Sequence, residues 1–131
     1  MKVLSLTEPF ATLINEKKKL VETRSWKTNY RGELYIHASM TKPSKTDLED
    51  EELMSLVENK EMNFGHIICK CVLVDCVYMT EEYINNMKEN NYQEYICGEY
   101  SVGRYAWILE SVELLDKPIP AKGHLGVWNY E

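Results

Sequence analysis

The chain predicts an α+β protein built on a small barrel-like sheet of about five strands with three flanking helices. Two observations carry this. Strand-like and helix-like segments are mixed along the chain without strict strand–helix alternation, which disfavours a doubly wound parallel sheet. One run, His66 to Tyr78, is apolar on both faces apart from Lys70 and Asp75, as a barrel strand covered by helices should be. With 131 residues, 44% of them hydrophobic and 27% charged, the chain is sized for one domain, expected to span residues 1–131.

The elements follow in order. Val3 to Leu6 is a short first strand. Thr7-Glu8-Pro9 then opens a helix, with Thr7 as cap, Glu8 at the positive helix end and Pro9 in the first turn. Phe10, Leu13 and Ile14 fall at i, i+3 and i+4 and form its apolar stripe. Lys17 and Lys18 read as cations at the helix's negative C-terminal end. The stretch Lys19 to Trp26 reads as a turn, and Lys27 to Gly32 as a loop. Glu33 to Ser39 alternates as a strand, with Leu34, Ile36 and Ala38 on one face and Tyr35, His37 and Ser39 on the other.

Thr46-Asp47-Leu48-Glu49 reads as a capping box before an acidic helix ending near Asn59, its buried face Leu53, Leu56 and Val57. Thr80 caps a third helix carrying Tyr83, Ile84 and Met87, which ends at Asn90-Asn91. Glu94 to Gly103 reads as a glycine-bearing loop rimming a cleft, followed by a strand from Tyr105 to Glu110. Lys117 to Pro120 is an extended connector, and Gly123 to Trp128 a last short strand.

Charge and cysteine narrow the function. The net charge is −6, which disfavours a non-specific grip on a long duplex. It is unevenly spread: residues 1–45 carry nine basic against four acidic residues, and residues 46–100 carry three against thirteen. A local anion site in the basic third remains compatible with the acidic whole. Cys69, Cys71, Cys76 and Cys97 form no C-x-x-C pair and are expected as reduced thiols of a cytoplasmic protein, with no metal site and no cofactor. Met1-Lys2 leads straight into a short strand rather than a signal peptide, and no run has the length of a membrane span.

The chemistry-bearing stretch is Lys17 to Trp26. Glu22 and Arg24 sit two apart, so on extended backbone they share a face, joined by Trp26. Arg24 and Arg104 offer planar forks for phosphate or a base edge, and Trp26 and Tyr30 are stacking candidates, whereas mid-strand Trp107 suits the core. His37 and Ser39 would be ligand contacts if their strand face lines the cleft, and Lys42 beside them a phosphate contact or a solvated charge. A protein-interaction role for the acidic segment Thr46 to Asn59 has only its charge in its favour.

Lys19-x-x-Glu22-x-Arg24 resembles the Gly-x-Lys-x-x-Glu-x-Arg hallmark of the ASCH domain, a branch of the PUA-like superfamily. Lys17 stands at the Gly position, whose backbone angles glycine takes freely and lysine resists. Arg31 to Ser39, Gly103 to Glu110 and Pro118 to Gly123 are similar to later segments of the family in the right order, so the resemblance covers nearly the whole chain. It implies a five- or six-stranded barrel with a cleft beneath the first helix and an RNA-type or nucleotide ligand. Lys19, Glu22, Arg24, Trp26, Tyr30, His37, Ser39 and Arg104 are the expected contacts. It also implies a competing activity, an amidohydrolase acting on N-acylated cytidine-type nucleosides or a ribonuclease, in which Lys19 and Glu22 would be catalytic with Thr23 in support. The hydrolytic members carry a hydroxyl residue three positions after the lysine. Here that position is Glu22.

Overall fold

The computed structural model describes residues 1–131. Six strands form one sheet: β1 (Lys2–Leu6), β2 (Val21–Arg24), β3 (Gly32–Ala38), β4 (His66–Tyr78), β5 (Tyr105–Pro120) and β6 (Val127–Asn129). Their order across the sheet is β2-β5-β4-β3-β1-β6, antiparallel throughout except for the parallel pair β1–β3. Register shifts at Ile36/His37 on β3 and at three places along the β4–β5 pair are bulges, which bend strands and raise their twist. The sheet accordingly curls into a half-barrel, as expected of the fold class.

The helices are α1 (Phe10–Asn15), α2 (Lys45–Glu49), α3 (Glu51–Ser55), α4 (Glu81–Asn90) and α5 (Tyr92–Ile96). None is long and apolar enough to cross a membrane. The main core lies inside the curl. Ala11 and Ile14 of α1 pack there with Leu34, Ile36, Cys69 and Trp107 from three strands. Burying apolar area of this kind is worth roughly 25 cal/mol per Å2. Leu13, on the next face of α1, joins Leu53, Val57 and Cys97 in a smaller cluster that ties α3 and the segment after α5 to the first helix. That tie fixes the space between α1, α3 and the edge strand β2.

Several expected elements differ. The Lys19–Trp26 turn contains β2, and five strands become six. The connector before Pro120 is the end of β5. The single acidic helix is two, because Asp50 takes extended angles (φ −78°, ψ 98°) and caps α3 by accepting from Leu53 N at 3.1 Å. Its first cap is Ser44, accepting from Asp47 N, rather than Thr46. The expected loop from Glu94 holds most of α5. Thr7 caps nothing: buried Glu8 instead accepts from Thr12 N at 2.8 Å, Thr12 Oγ1 at 2.6 Å and Asn63 N at 3.2 Å, joining α1 to the segment before β4.

Lys17 resolves its own oddity. Its N–H reaches Ile14 O at 2.9 Å and the Lys18 N–H reaches Leu13 O at 2.9 Å, the paired bonds of a Schellman C-cap. Lys17 sits at that motif's left-handed position with φ +61°, so it adopts the conformation that glycine usually supplies, at a cost of about 1–2 kcal/mol. Lys18 is not simply charge at the end of α1. Its Nζ donates to Leu56 O at 2.6 Å, at the C-terminus of α3.

The cysteines are free. Cys69, Cys71 and Cys97 are buried, and burial pushes the first two thiols up to about 12 and the third to about 11.

Candidate functional site

Beneath α1 lies a cleft of about 730 Å3, open between β1, β2, the α2–α3 junction and the segment Ile96–Glu99. It forms where the curled sheet leaves β2 and the end of β1 facing each other unpaired. Because β2 is an edge strand, its outer backbone groups need partners other than a strand. Side chains supply them. Glu94, on α5, accepts from Leu20 N at 2.7 Å and Val21 N at 3.2 Å. Lys19 donates to Val21 O at 2.6 Å, and Arg104 Nη2 to Thr23 O at 3.2 Å.

These bonds define what each expected residue does. Lys19 underlies the cleft floor with 0% exposure. Its Nζ donates to Val21 O and to Cys97 O at 2.5 Å, and pairs with Glu22 Oε1 at 3.5 Å. Glu22 turns its other oxygen, Oε2, to Arg24, whose Nε donates to it at 2.9 Å and whose Nη2 lies 2.9 Å from it as an ion pair. Arg24 Nη2 also reaches Ser5 O at 3.0 Å and so bridges β2 to β1 across the cleft. Its side chain is 23% exposed, and Nη1 has no protein partner. Of the three side chains Lys19, Glu22 and Arg24, the one with a free donor for a ligand is therefore Arg24, through its Nη1 edge.

Trp26 stands at the mouth with 40% of its surface exposed, held edge-on against Trp107 at a centroid distance of 4.7 Å. Trp107 itself is fully buried and donates from Nε1 to Trp26 O at 3.3 Å. Arg104 lines the cleft but is engaged by Glu99 O at 3.1 Å, Glu99 Oε2 at 3.4 Å and Thr23 O.

Lys19, Glu22, Arg24, Trp26 and Arg104 thus converge. Tyr30, His37 and Ser39 do not line the cleft. The Tyr30 hydroxyl donates to Glu33 O, and its ring packs on the main core. His37 is fully enclosed, with both ring nitrogens engaged by Ser5 Oγ and Ala121 O. Ser39 lies just past β3 and accepts from Thr41 N. Lys42 is exposed, makes no ion pair and lies away from the cleft.

Sequence reasoning missed Glu94 and the opposite wall, where Asp47 and Asp50 face the cleft from the α2–α3 junction. Asn91, whose side chain accepts from Glu94 N at 3.4 Å, is the available signal for a helix that starts at Tyr92 and carries Glu94. Nothing local in the sequence brings α2 opposite β2. With Lys19, Arg24 and Arg104 set against Glu22, Asp47, Asp50 and Glu99, the lining balances three cations against four carboxylates.

Burial raises the Glu94 carboxyl above its ordinary 4.5, opposed by Lys19 and by its two backbone donors. A carboxyl raised in the folded state holds its proton more tightly folded than unfolded. Its contribution is full below the unfolded value and is lost as pH rises through the folded one. Glu94→Gln should therefore remove a fall in stability with rising pH in the window just above 4.5, measurable by urea unfolding of both proteins across that range.

The family model described as "ASCH domain" matches residues 4–118 of this chain. Activating signal cointegrator 1 of Homo sapiens and of Mus musculus are each 26% identical over 129 residues, which is 98% of this chain. The chain spans only 22% of the length of those relatives. Among solved structures, the ASCH protein of Zymomonas mobilis superposes with a TM-score of 0.56 at 19% identity, covering 91% of this chain and 72% of that one. A tyrosine-to-phenylalanine mutant of the same protein gives 0.57, also at 19% identity, covering 91% and 74%. At that identity the likeness is one of fold, and it agrees with the curled six-stranded sheet described above. Together with the Lys19–Glu22–Arg24 constellation on the cleft floor, the family match over most of the chain settles its kinship: this protein belongs to the ASCH domain family.

Proposed function

We propose that residues 1–131 act as one RNA-binding module whose cleft takes a base of a short single-stranded RNA, or the corresponding nucleoside or nucleotide. The observation that carries this is the pairing of a half-exposed indole, Trp26, with the unpartnered Nη1 edge of Arg24 in one cleft. The indole stacks on a base, worth about 1–3 kcal/mol, and the guanidinium edge donates to a base carbonyl or ring nitrogen. Lys19 and Glu22 hold Arg24 in place. Balanced charge on the lining favours the base over a chain of phosphates, and the protein's net charge of −6 disfavours a long duplex. A cytoplasmic setting suits the four free thiols.

Binding of a fluorescein-labelled short single-stranded RNA, read by anisotropy, tests the proposal. Arg24→Ala and Trp26→Ala should each weaken it about tenfold or more. Unchanged affinity in both variants, with folding intact, would remove the assignment. The hydrolase reading needs Lys19 at the substrate, whereas its Nζ is enclosed, bonded to Val21 O and Cys97 O and paired with Glu22 Oε1 at 3.5 Å. Turnover of a panel of N-acylated nucleosides would nonetheless establish it.

A further inference from the structure

His37 was expected at the ligand and lies instead behind the cleft, in a polar chain that ends on Arg24. Its Nε2 is 2.8 Å from Ala121 O and its Nδ1 2.9 Å from Ser5 Oγ. Trp128 Nε1 donates to the same Ser5 Oγ at 3.0 Å. The carbonyl of Ser5 accepts from Arg24 Nη2 at 3.0 Å. One residue thus joins the two systems: its hydroxyl is clamped from the C-terminal side, and its carbonyl holds the arginine of the cleft.

The proton positions follow from what each group is able to do. A backbone carbonyl only accepts, so Nε2 of His37 must donate to Ala121 O. An indole N–H only donates, so Ser5 Oγ accepts from Trp128. With Nε2–H donating to Ala121 O, the Ser5 hydroxyl proton finds its acceptor in Nδ1 of His37, the one assignment that gives the Ser5 proton a partner in this chain. The surroundings are tight. A Cβ at Gly123 would fall 2.9 Å from both His37 Cε1 and Ser5 Oγ, so the segment after β5 closes over the pair with no room for a side chain. The Trp128 ring stands edge-on to His37 at 5.7 Å.

We propose that His37 is a positioning residue for ligand binding: through the Ser5 hydroxyl it fixes the Ser5 carbonyl and hence the orientation of Arg24, keeping Nη1 turned to the cleft. The inference rests on the reading of Arg24 as a ligand contact. It assigns His37 no contact with the ligand.

Two readouts on the full chain test it. In wild-type protein, 15N NMR of the imidazole should show the neutral Nε2–H tautomer with Nδ1 hydrogen-bonded; an Nδ1–H tautomer overturns the proposal without any variant. His37→Phe should then shift the Arg24 Nε–H resonance and weaken binding of the labelled single-stranded RNA about fivefold. His37→Asn, which keeps an acceptor near the Nδ1 position, should recover part of both effects. If Arg24→Ala weakens binding but folded His37→Phe binds as wild type with an unmoved Arg24 resonance, the positioning role fails alone. If Arg24→Ala itself binds as wild type, the cleft reading fails first. Should His37→Phe not fold, the tautomer and the His37→Asn variant still decide.

Discussion

Replacing Lys19 by Met should lower stability by about 3–5 kcal/mol and the midpoint of thermal unfolding by about 10 °C or more. Methionine fills much of the same length but has no donor. Val21 O and Cys97 O would lose the partner they share, and Glu22 Oε1 would keep no counter-charge of its own. Lys19 and Cys97 are at 0% exposure, so water is poorly placed to substitute for the lost ammonium. The penalty falls on one seam, since Lys19 joins the start of β2 to the end of α5. Urea and thermal unfolding of Lys19→Met, Glu22→Gln and the double variant measure it. Glu22→Gln keeps an acceptor for Lys19, so it should cost less, and the double variant should fall short of the sum. A Lys19→Met protein within about 1 kcal/mol of wild type would show that the lysine does not hold the edge. The result also governs how function is read: RNA binding lost in a Lys19 variant is evidence about the ligand only if the variant is folded.

How the chain disclosed itself follows from where information is local. His66–Tyr78 matched β4 because burial on both faces is written into a long apolar run, and Thr80 capped α4 because a cap needs only three following residues. The misread segments depend on distant partners. β2 is four residues long, and outer bonds of it come from Glu94 and Arg104, 73 and 81 positions away, which no local pattern announces. Pro118 and Pro120 suggested a connector. Beyond Ile108, however, β2 no longer runs beside β5, and a missing N–H on that free edge breaks no ladder bond. The Asp50 break illustrates local competition, with a side-chain cap to Leu53 N overriding a helix that charge and periodicity alone would continue.

The same split runs through the site. Spacing put Glu22, Arg24 and Trp26 on one stretch, and all three line one cleft. It could not distinguish Arg24, whose edge is open, from Lys19, which is enclosed and bonded to two carbonyls, because that depends on Cys97, 78 positions away. His37 shows the limit of face reasoning. Its strand face was read correctly as different from that of Leu34 and Ile36, yet β6 and the segment after β5 cover that face, so no ligand reaches it.

Trp107→Ala should be the most damaging substitution in the sheet, at about 3–5 kcal/mol, and should also weaken RNA binding. Trp107 pairs across β2 with Glu22 and across β4 with Cys76, is fully buried, and is the largest enclosed side chain in the main core. It is also the back support of Trp26, through the edge-to-face contact at 4.7 Å and the bond from Nε1 to Trp26 O. Trp107→Phe separates the two roles. Phenylalanine keeps much of the buried ring but has no N–H, leaving Trp26 O without its protein donor at a cost of about 1–3 kcal/mol. If the core places the stacking residue, folded Trp107→Phe binds the labelled RNA more weakly than wild type, although position 107 lies outside the cleft lining. Thermal unfolding and anisotropy on the same samples decide the matter. A folded Trp107→Phe with wild-type affinity would mean that Trp26 finds its place without support from the core.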